Sequence, residues 1–278
     1  LLTFCDQLEV ILSNFCLRVL TASIFCPIAL SFTWLGGIYF LLFVWSIGGF
    51  ILYEWINITK EKWNFLQKIL AGIFYFIVCL SFMLGASAFS IFSILIISAV
   101  LLGIISVKNI GWVSCGFLYA SLPVLSLHFL RGYETLGFWV AIFLFVIVWG
   151  TDIAAYFAGR TFGGPKLAPQ FSPNKTWSGA IAGTVIGVIG GTSVYFLFMN
   201  RLSIFVALLA LILSIVSQIS DLGQSWLKRY FFVKDSGCLL PGHGGFMDRM
   251  DGLVGASFFL YLVSAFAFDM NAPFKFFI

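Results

Sequence analysis

Residues 221–251 hold four of the chain's eleven carboxylates: Asp221, Asp235, Asp248 and Asp251. Interleaved with them are Lys228, Arg229, Lys234, Arg249 and His243, one of only two histidines. Asp248 and Asp251 are spaced i and i+3, so a helix already begun by then turns both to one side. With Asp221 from the preceding helix end, they make a candidate site for a hard cation. Magnesium suits such a set, because it takes one or two carboxylates and completes its shell with water and substrate phosphate. The neighbouring lysines and arginines would balance phosphate charge, arginine bidentately. Between them, Pro241-Gly242-His243-Gly244-Gly245 lets the backbone turn sharply and approach a ligand closely. The bland alternative is a solvated, charge-balanced connection between two membrane helices, and the order of the residues weighs against it.

A second polar stretch runs from Asp152 to Thr176. A carboxylate at a membrane helix end is costly and points to function, although Asp152 could instead reach interfacial water or pair with Arg160. Gly159, Gly163 and Gly164 with Arg160, Lys166 and Lys175 read as a flexible phosphate cradle, a signal that is weak by itself.

What must position these residues is hydrocarbon. The chain of 278 residues is 61% hydrophobic and 9% charged, against about 25% charged in soluble domains. With a mean hydropathy of +1.07, the reading is an all-α, polytopic integral membrane protein. Taking about 20 residues per crossing, the uncharged runs divide into about nine transmembrane helices. Residues 19–53 supply two, turning near Gly36-Gly37, and residues 69–107 supply two more, breaking around Gly85-Ala86-Ser87. Single spans follow at 109–130, 135–158, 177–200, 202–220 and 252–268. Residues 1–134 then form an N-terminal membrane region and 135–278 a catalytic one. Placing the N-terminus inside leaves only Arg131, Arg201 and Lys275 of the basic residues outside. By the positive-inside rule both polar stretches therefore face the cytoplasm, in a bacterial inner membrane or its equivalent.

Other features exclude classes of function. No basic run suits nucleic acid. The six cysteines show no pairing or metal-ligand pattern. The first residues, with Asp6 and Glu9, lack the basic-then-apolar pattern of a cleaved signal peptide. His128 reads as structural, and the small residues of Gly183–Gly191 read as a close helix-packing face.

Ser225, Lys228-Arg229, Lys234-Asp235, Gly237, Leu240-Pro241, His243-Gly244-Gly245, Asp248-Arg249 and Asp251 together resemble the signature of the phosphatidate cytidylyltransferases (CDP-diacylglycerol synthases). Asp152, Ala155-Tyr156, Gly159-Arg160, Phe162-Gly163, Lys166-Leu167, Pro169, Ser172-Pro173 and Lys175-Thr176 resemble that family's second block. The chain departs from the pattern at Ser178 and Gln224, where glutamates are usual.

The resemblance implies a membrane enzyme that condenses CTP with phosphatidic acid, releasing pyrophosphate and requiring magnesium, with a second cation allowed. On that reading the catalytic residues are Asp221, Lys228, Arg229, His243, Asp248, Arg249 and Asp251, with Asp221, Asp248 and Asp251 on the metal. Substrate would be held by Ser225, Lys175, Arg160, Lys234, Gly244, Gly245 and Asp152. His243 is expected to orient phosphate, since a lipid phosphate is already an anionic nucleophile. The partners are CTP, phosphatidic acid and the bilayer, and a homodimer is the assembly to test for. A CTP-dependent lipid kinase and an ion-coupled transporter remain as alternative readings.

Overall fold

The computed structural model describes residues 14–106, 109–237, 239 and 244–278, and of these the side chains of 14–22 and 61 are left aside. Among the described residues there are nine α-helices: α1 (Asn14–Leu35), α2 (Gly37–Ile58), α3 (Phe65–Met83), α4 (Ala88–Ser106), α5 (Ile110–Arg131), α6 (Thr135–Phe162), α7 (Trp177–Met199), α8 (Ile204–Tyr230) and α9 (Met247–Ala267). In hydrocarbon every backbone polar group needs an internal partner, and helices satisfy this within one segment. Helices α2 to α9 are each long and apolar enough to cross a membrane, and α1 is apolar from Ser23 to Leu35. The turn between α1 and α2 falls at Gly36 and Gly37, both at positive φ (64° and 51°), where a side chain would be strained.

Two stretches expected as polar loops are largely regular. The expected loop 221–251 loses both its ends to helix, because α8 continues to Tyr230 and α9 begins at Met247. Hydropathy marks where the bilayer ends, whereas Leu, Gln, Trp, Lys and Arg after Ser220 still favour helix. Helix α6 likewise runs on to Phe162. At 28 and 27 residues, α6 and α8 measure about 40 Å against a hydrocarbon core of about 30 Å. The expected flexible cradle after α6 is instead an antiparallel hairpin, β1 (Lys166–Ala168) with β2 (Ser172–Thr176), pairing Lys166 with Thr176 and Ala168 with Ser172. Its Ser-Pro-Asn-Lys-Thr strand lacks the β-branched alternation by which strands are read from sequence.

The chain divides into two compact units. The first comprises the described residues of Leu1–Leu125 and Phe231–Met250. There Trp55 donates its indole N–H to the Trp112 carbonyl at 3.0 Å, and Gly116 leaves room for the Trp55 ring. Tyr75 donates to the Trp45 carbonyl at 2.6 Å, and α3 starts with a reciprocal cap between Asn64 and Gln67.

The second unit comprises Ser126–Tyr230 and Asp251–Ile278. The buried face of α7 is Gly179, Gly183, Gly187 and Gly191, spaced four apart. Cβ atoms built at the first three would stand 2.7, 2.7 and 2.6 Å from Ala155 O, Thr151 O and Thr151 Oγ1 of α6. The close-packing face read from the glycine run is therefore present, and it starts one turn earlier. Thr151 and Ser214 share a 2.7 Å hydroxyl contact, joining α6 to α8. Gly252 and Gly255 bring α9 close to Val148, Ser217 and Ser220. His128 is buried, with Phe129 and Tyr133 edge-on to its ring.

Candidate active site

Small residues are what allow four charged groups of the second unit to converge. Asp152 lies on α6, Lys175 on β2, Asp221 on α8 and Asp251 in the second turn of α9. Lys175 Nζ forms an ion pair with Asp221 Oδ2, both side chains being about three-quarters buried. Asp251 lies within electrostatic reach of Asp221, Asp152 and Lys175. Its Oδ1 accepts the N–H of Gly252 at 2.8 Å, and its carbonyl accepts the hydroxyl of Ser220, the neighbour of Asp221.

The position of Lys175 is set by its neighbours. Thr176 caps α7, its Oγ1 accepting the N–H of Gly179 at 3.2 Å, a standard way to satisfy a free helix-end amide. Trp177 N donates to Pro165 O at 3.0 Å, closing the base of the hairpin. Ser178, in the place of the usual glutamate, donates to Gly163 O and lies 3.0 Å from Thr176 Oγ1. The substitution thus exchanges a carboxylate for a fastener of the hairpin.

Three further basic groups lie at helix ends of the same unit. Lys228 and Arg229 occupy the last turn of α8, and Arg160 the last turn of α6. Arg160 lies 5.1 Å over the Tyr156 ring and donates to its hydroxyl. Arg229 Nε reaches Phe171 O of the hairpin at 3.5 Å. Ser225 is half-buried, one turn beyond Asp221. Its neighbour Gln224 is 3% exposed, and among the described residues neither amide atom has a hydrogen-bond partner. Buried polar atoms are nearly always satisfied, so this amide stands out beside Asp221.

The rest of the signature belongs to the first unit, where Asp248 is buried and heavily engaged. Its Oδ2 accepts from Ser236 N at 2.8 Å, Ser236 Oγ at 3.0 Å and Gly245 N at 3.1 Å. Glu54 of α2, 1% exposed, accepts from Ser236 Oγ at 2.7 Å and from the N–H groups of Phe246 and Met247 at 2.9 Å each. Glu54 directly follows the uncharged run of residues 19–53 and has no role assigned from sequence. The available signal was a carboxylate still inside the helical run, which is costly in a membrane. Gly244 has φ 82°, and Cβ atoms at Gly244 and Gly245 would strike Asp248 and Glu54 respectively. Lys234, Asp235 and Arg249 are exposed. Pro241, Gly242, His243 and Cys238 lie outside the described residues.

Among the described residues no three His, Cys, Asp or Glu side chains form a ready-made metal cage. Asp221 and Asp251 suit a cation that retains water and arrives with phosphate, as magnesium does.

Comparison with known proteins places this geometry in context. A sequence model described as the cytidylyltransferase family matches residues 16–267. A phosphatidate cytidylyltransferase of Brucella suis is 44% identical over 263 residues, covering 94% of this chain and 97% of the relative. Enzymes of the same name from Staphylococcus haemolyticus and Rickettsia bellii are 34% and 32% identical, over 85% and 74% of this chain and 94% and 93% of theirs.

Proposed function

The chain belongs to the cytidylyltransferase family, and on that premise we propose that it transfers the cytidylyl group of CTP to phosphatidic acid. The products are CDP-diacylglycerol and pyrophosphate, made for phospholipid synthesis. The structural observation that carries this reading is the Lys175–Asp221 ion pair with Asp251 in electrostatic reach of Asp221, Asp152 and Lys175, in a unit whose helix ends also carry Arg160, Lys228 and Arg229. A site with both signs of charge suits a reaction between two polyanions.

An oxygen of the lipid phosphate attacks the α-phosphorus of CTP. A new P–O bond forms, the bond from the α-phosphorus to the bridging oxygen breaks, and pyrophosphate leaves with its electron pair. The nucleophile is already an anion, so the protein contributes position and charge neutralisation. Lys175 exchanges Asp221 for substrate phosphate. Lys228, Arg229 and Arg160 share the remaining charge, with Ser225 as a hydroxyl partner. Asp221 and Asp251, with Asp152 within electrostatic reach of Asp251, would hold magnesium. When bound, the metal supplies charge neutralisation on the triphosphate and Lewis-acid polarisation of the reacting phosphoryl group. For Asp248 the hydrogen bonds in hand support a role in holding the signature turn. The family resemblance assigns His243, Lys234, Arg249, Gly244 and Gly245 to the substrate phosphates.

Within the second unit, Arg160, Lys166, Lys175, Lys228 and Arg229 gather at one end and Arg131, Arg201 and Lys275 at the other. That bias supports a site opening to the cytoplasm, where CTP is dissolved. The lipid would enter sideways, with its acyl chains left in the bilayer.

The test uses purified protein in micelles with phosphatidic acid, magnesium and CTP labelled at the α-phosphate. Label in the lipid with matching pyrophosphate is expected, and it should vanish with EDTA and return with added magnesium. A γ-label reaching lipid while CDP is released would make the protein a kinase and overturn the reading. Cross-linking in the same micelles tests for the homodimer.

A further inference from the structure

Glu54 lies far from the signature in sequence, on a helix of the N-terminal half. Its carboxylate nevertheless accepts the N–H groups of Phe246 and Met247, the residues that open α9. Helix-start amides have no intrahelical partner, and an anion there both satisfies them and complements the helix dipole. Asp248 reaches back three residues to Gly245 N, satisfying the amide just ahead of the helix start. Ser236 ties the two carboxylates together, its hydroxyl lying 2.7 Å from Glu54 Oε2 and 3.0 Å from Asp248 Oδ2. Four residues before Glu54, Phe50 stacks on the Phe246 ring at 4.6 Å between centroids. One face of α2 thus grips both the backbone and the side chain of Phe246.

This brace also accounts for small residues in the signature. A Cβ on Gly237 would come within 3.1 Å of Glu54 Oε1, and one on Gly245 would overlap both Glu54 and Ser236. A turn with side chains at those places could not close over a buried carboxylate.

We propose that Glu54 is a positioning residue of the reaction: it fixes the turn that bears Gly244, Gly245 and Asp248 and sets the start of α9. It touches no substrate and acts through the hydrogen bonds it accepts. The consequence is that the N-terminal helices are part of the catalytic device as well as a membrane anchor. The inference rests on the cytidylyl-transfer reading for its activity arm only.

Glu54→Gln tests it. Each oxygen of Glu54 accepts a backbone N–H, Oε1 from Phe246 and Oε2 from Met247, so in either orientation the amide nitrogen of Gln would face an N–H, which has no lone pair to offer. Hydrogen exchange on the peptide 244–250 and cytidylyl transfer are measured on the same full-length preparations. Faster exchange of Phe246 and Met247 is expected, with kcat lowered about 10-fold or more and KM for CTP changed less than about two-fold. Glu54→Asp, which keeps the charge one methylene short, should fall between. Should Glu54→Gln fail to fold, Ser236→Ala removes only the linking hydroxyl and should lower kcat in the same direction. Unchanged exchange overturns the brace. Faster exchange with wild-type kcat overturns the positioning role and leaves a structural one. Wild-type protein that transfers no label would refute the proposed function, while the exchange arm would still decide the brace.

Discussion

Replacing Gly179 by alanine probes how the second unit holds its lysine. Gly179 is the third residue of α7, and a Cβ built there stands 2.7 Å from Ala155 O and 3.2 Å from Thr176 Oγ1. A carbon–oxygen contact settles at roughly 3.3 Å or more, so the start of α7 and α6 must part by about 0.6 Å. Backbone oxygen cannot swing aside as a side chain can. Overpacking of this kind costs about 1–3 kcal/mol, which lowers the unfolding midpoint by about 5 °C in a domain of this size. The displacement falls on the cap residue Thr176 and on Lys175 next to it. Since about 1 Å of misplacement can cost roughly 100-fold in rate, turnover should drop about 10-fold. The control is Gly72→Ala in α3, where a Cβ meets nothing within 4 Å and alanine favours helix by up to about 1 kcal/mol. Thermal unfolding in micelles and labelled-CTP turnover are measured on both. If Gly179→Ala melts and turns over like wild type while Gly72→Ala does the same, the α6–α7 contact is not what positions Lys175.

Further expectations follow from the same cluster. Lys175→Met leaves Asp221 without the ion pair seen here and should lower kcat/KM by about 100-fold or more, the usual size for loss of one charge-stabilising group; Lys175→Arg should recover part of it. A Lys175→Met enzyme at wild-type kcat/KM would remove the lysine from the phosphate site. Gln224→Met replaces a buried amide that has no partner among the described residues with an apolar chain of similar length. It should stabilise the substrate-free protein by about 1 kcal/mol and slow turnover, read as a raised melting midpoint with a lowered kcat. A lowered midpoint would mean that the amide is satisfied in the resting protein.

How much of this was legible beforehand depends on the physics involved. Long uncharged runs must become helices in hydrocarbon, and glycines at positive φ must break them, so α1 to α9 follow from local composition. The chemistry-bearing residues were legible as well, because charges are rare enough in such a chain to stand out. Helix ends beyond the bilayer were not, since hydropathy reports where lipid stops and says nothing of where backbone hydrogen bonding stops. Hence Asp221 to Tyr230 turned from loop to helix, and Ser172 to Thr176 from loop to strand.

Residue types and spacing alone determined that this is an all-α membrane protein carrying carboxylates and basic groups suited to phosphate chemistry. Only the tertiary structure decided which of them meet. Asp251 joins Asp221, Asp152 and Lys175 because glycines at 179, 183, 252 and 255 let helices approach to backbone contact. Asp248 is held by Ser236 and Gly245, and Glu54 caps a helix 193 residues further on. Such long-range partnerships leave no local periodicity, because burial and hydrogen-bond geometry select them after the chain has folded.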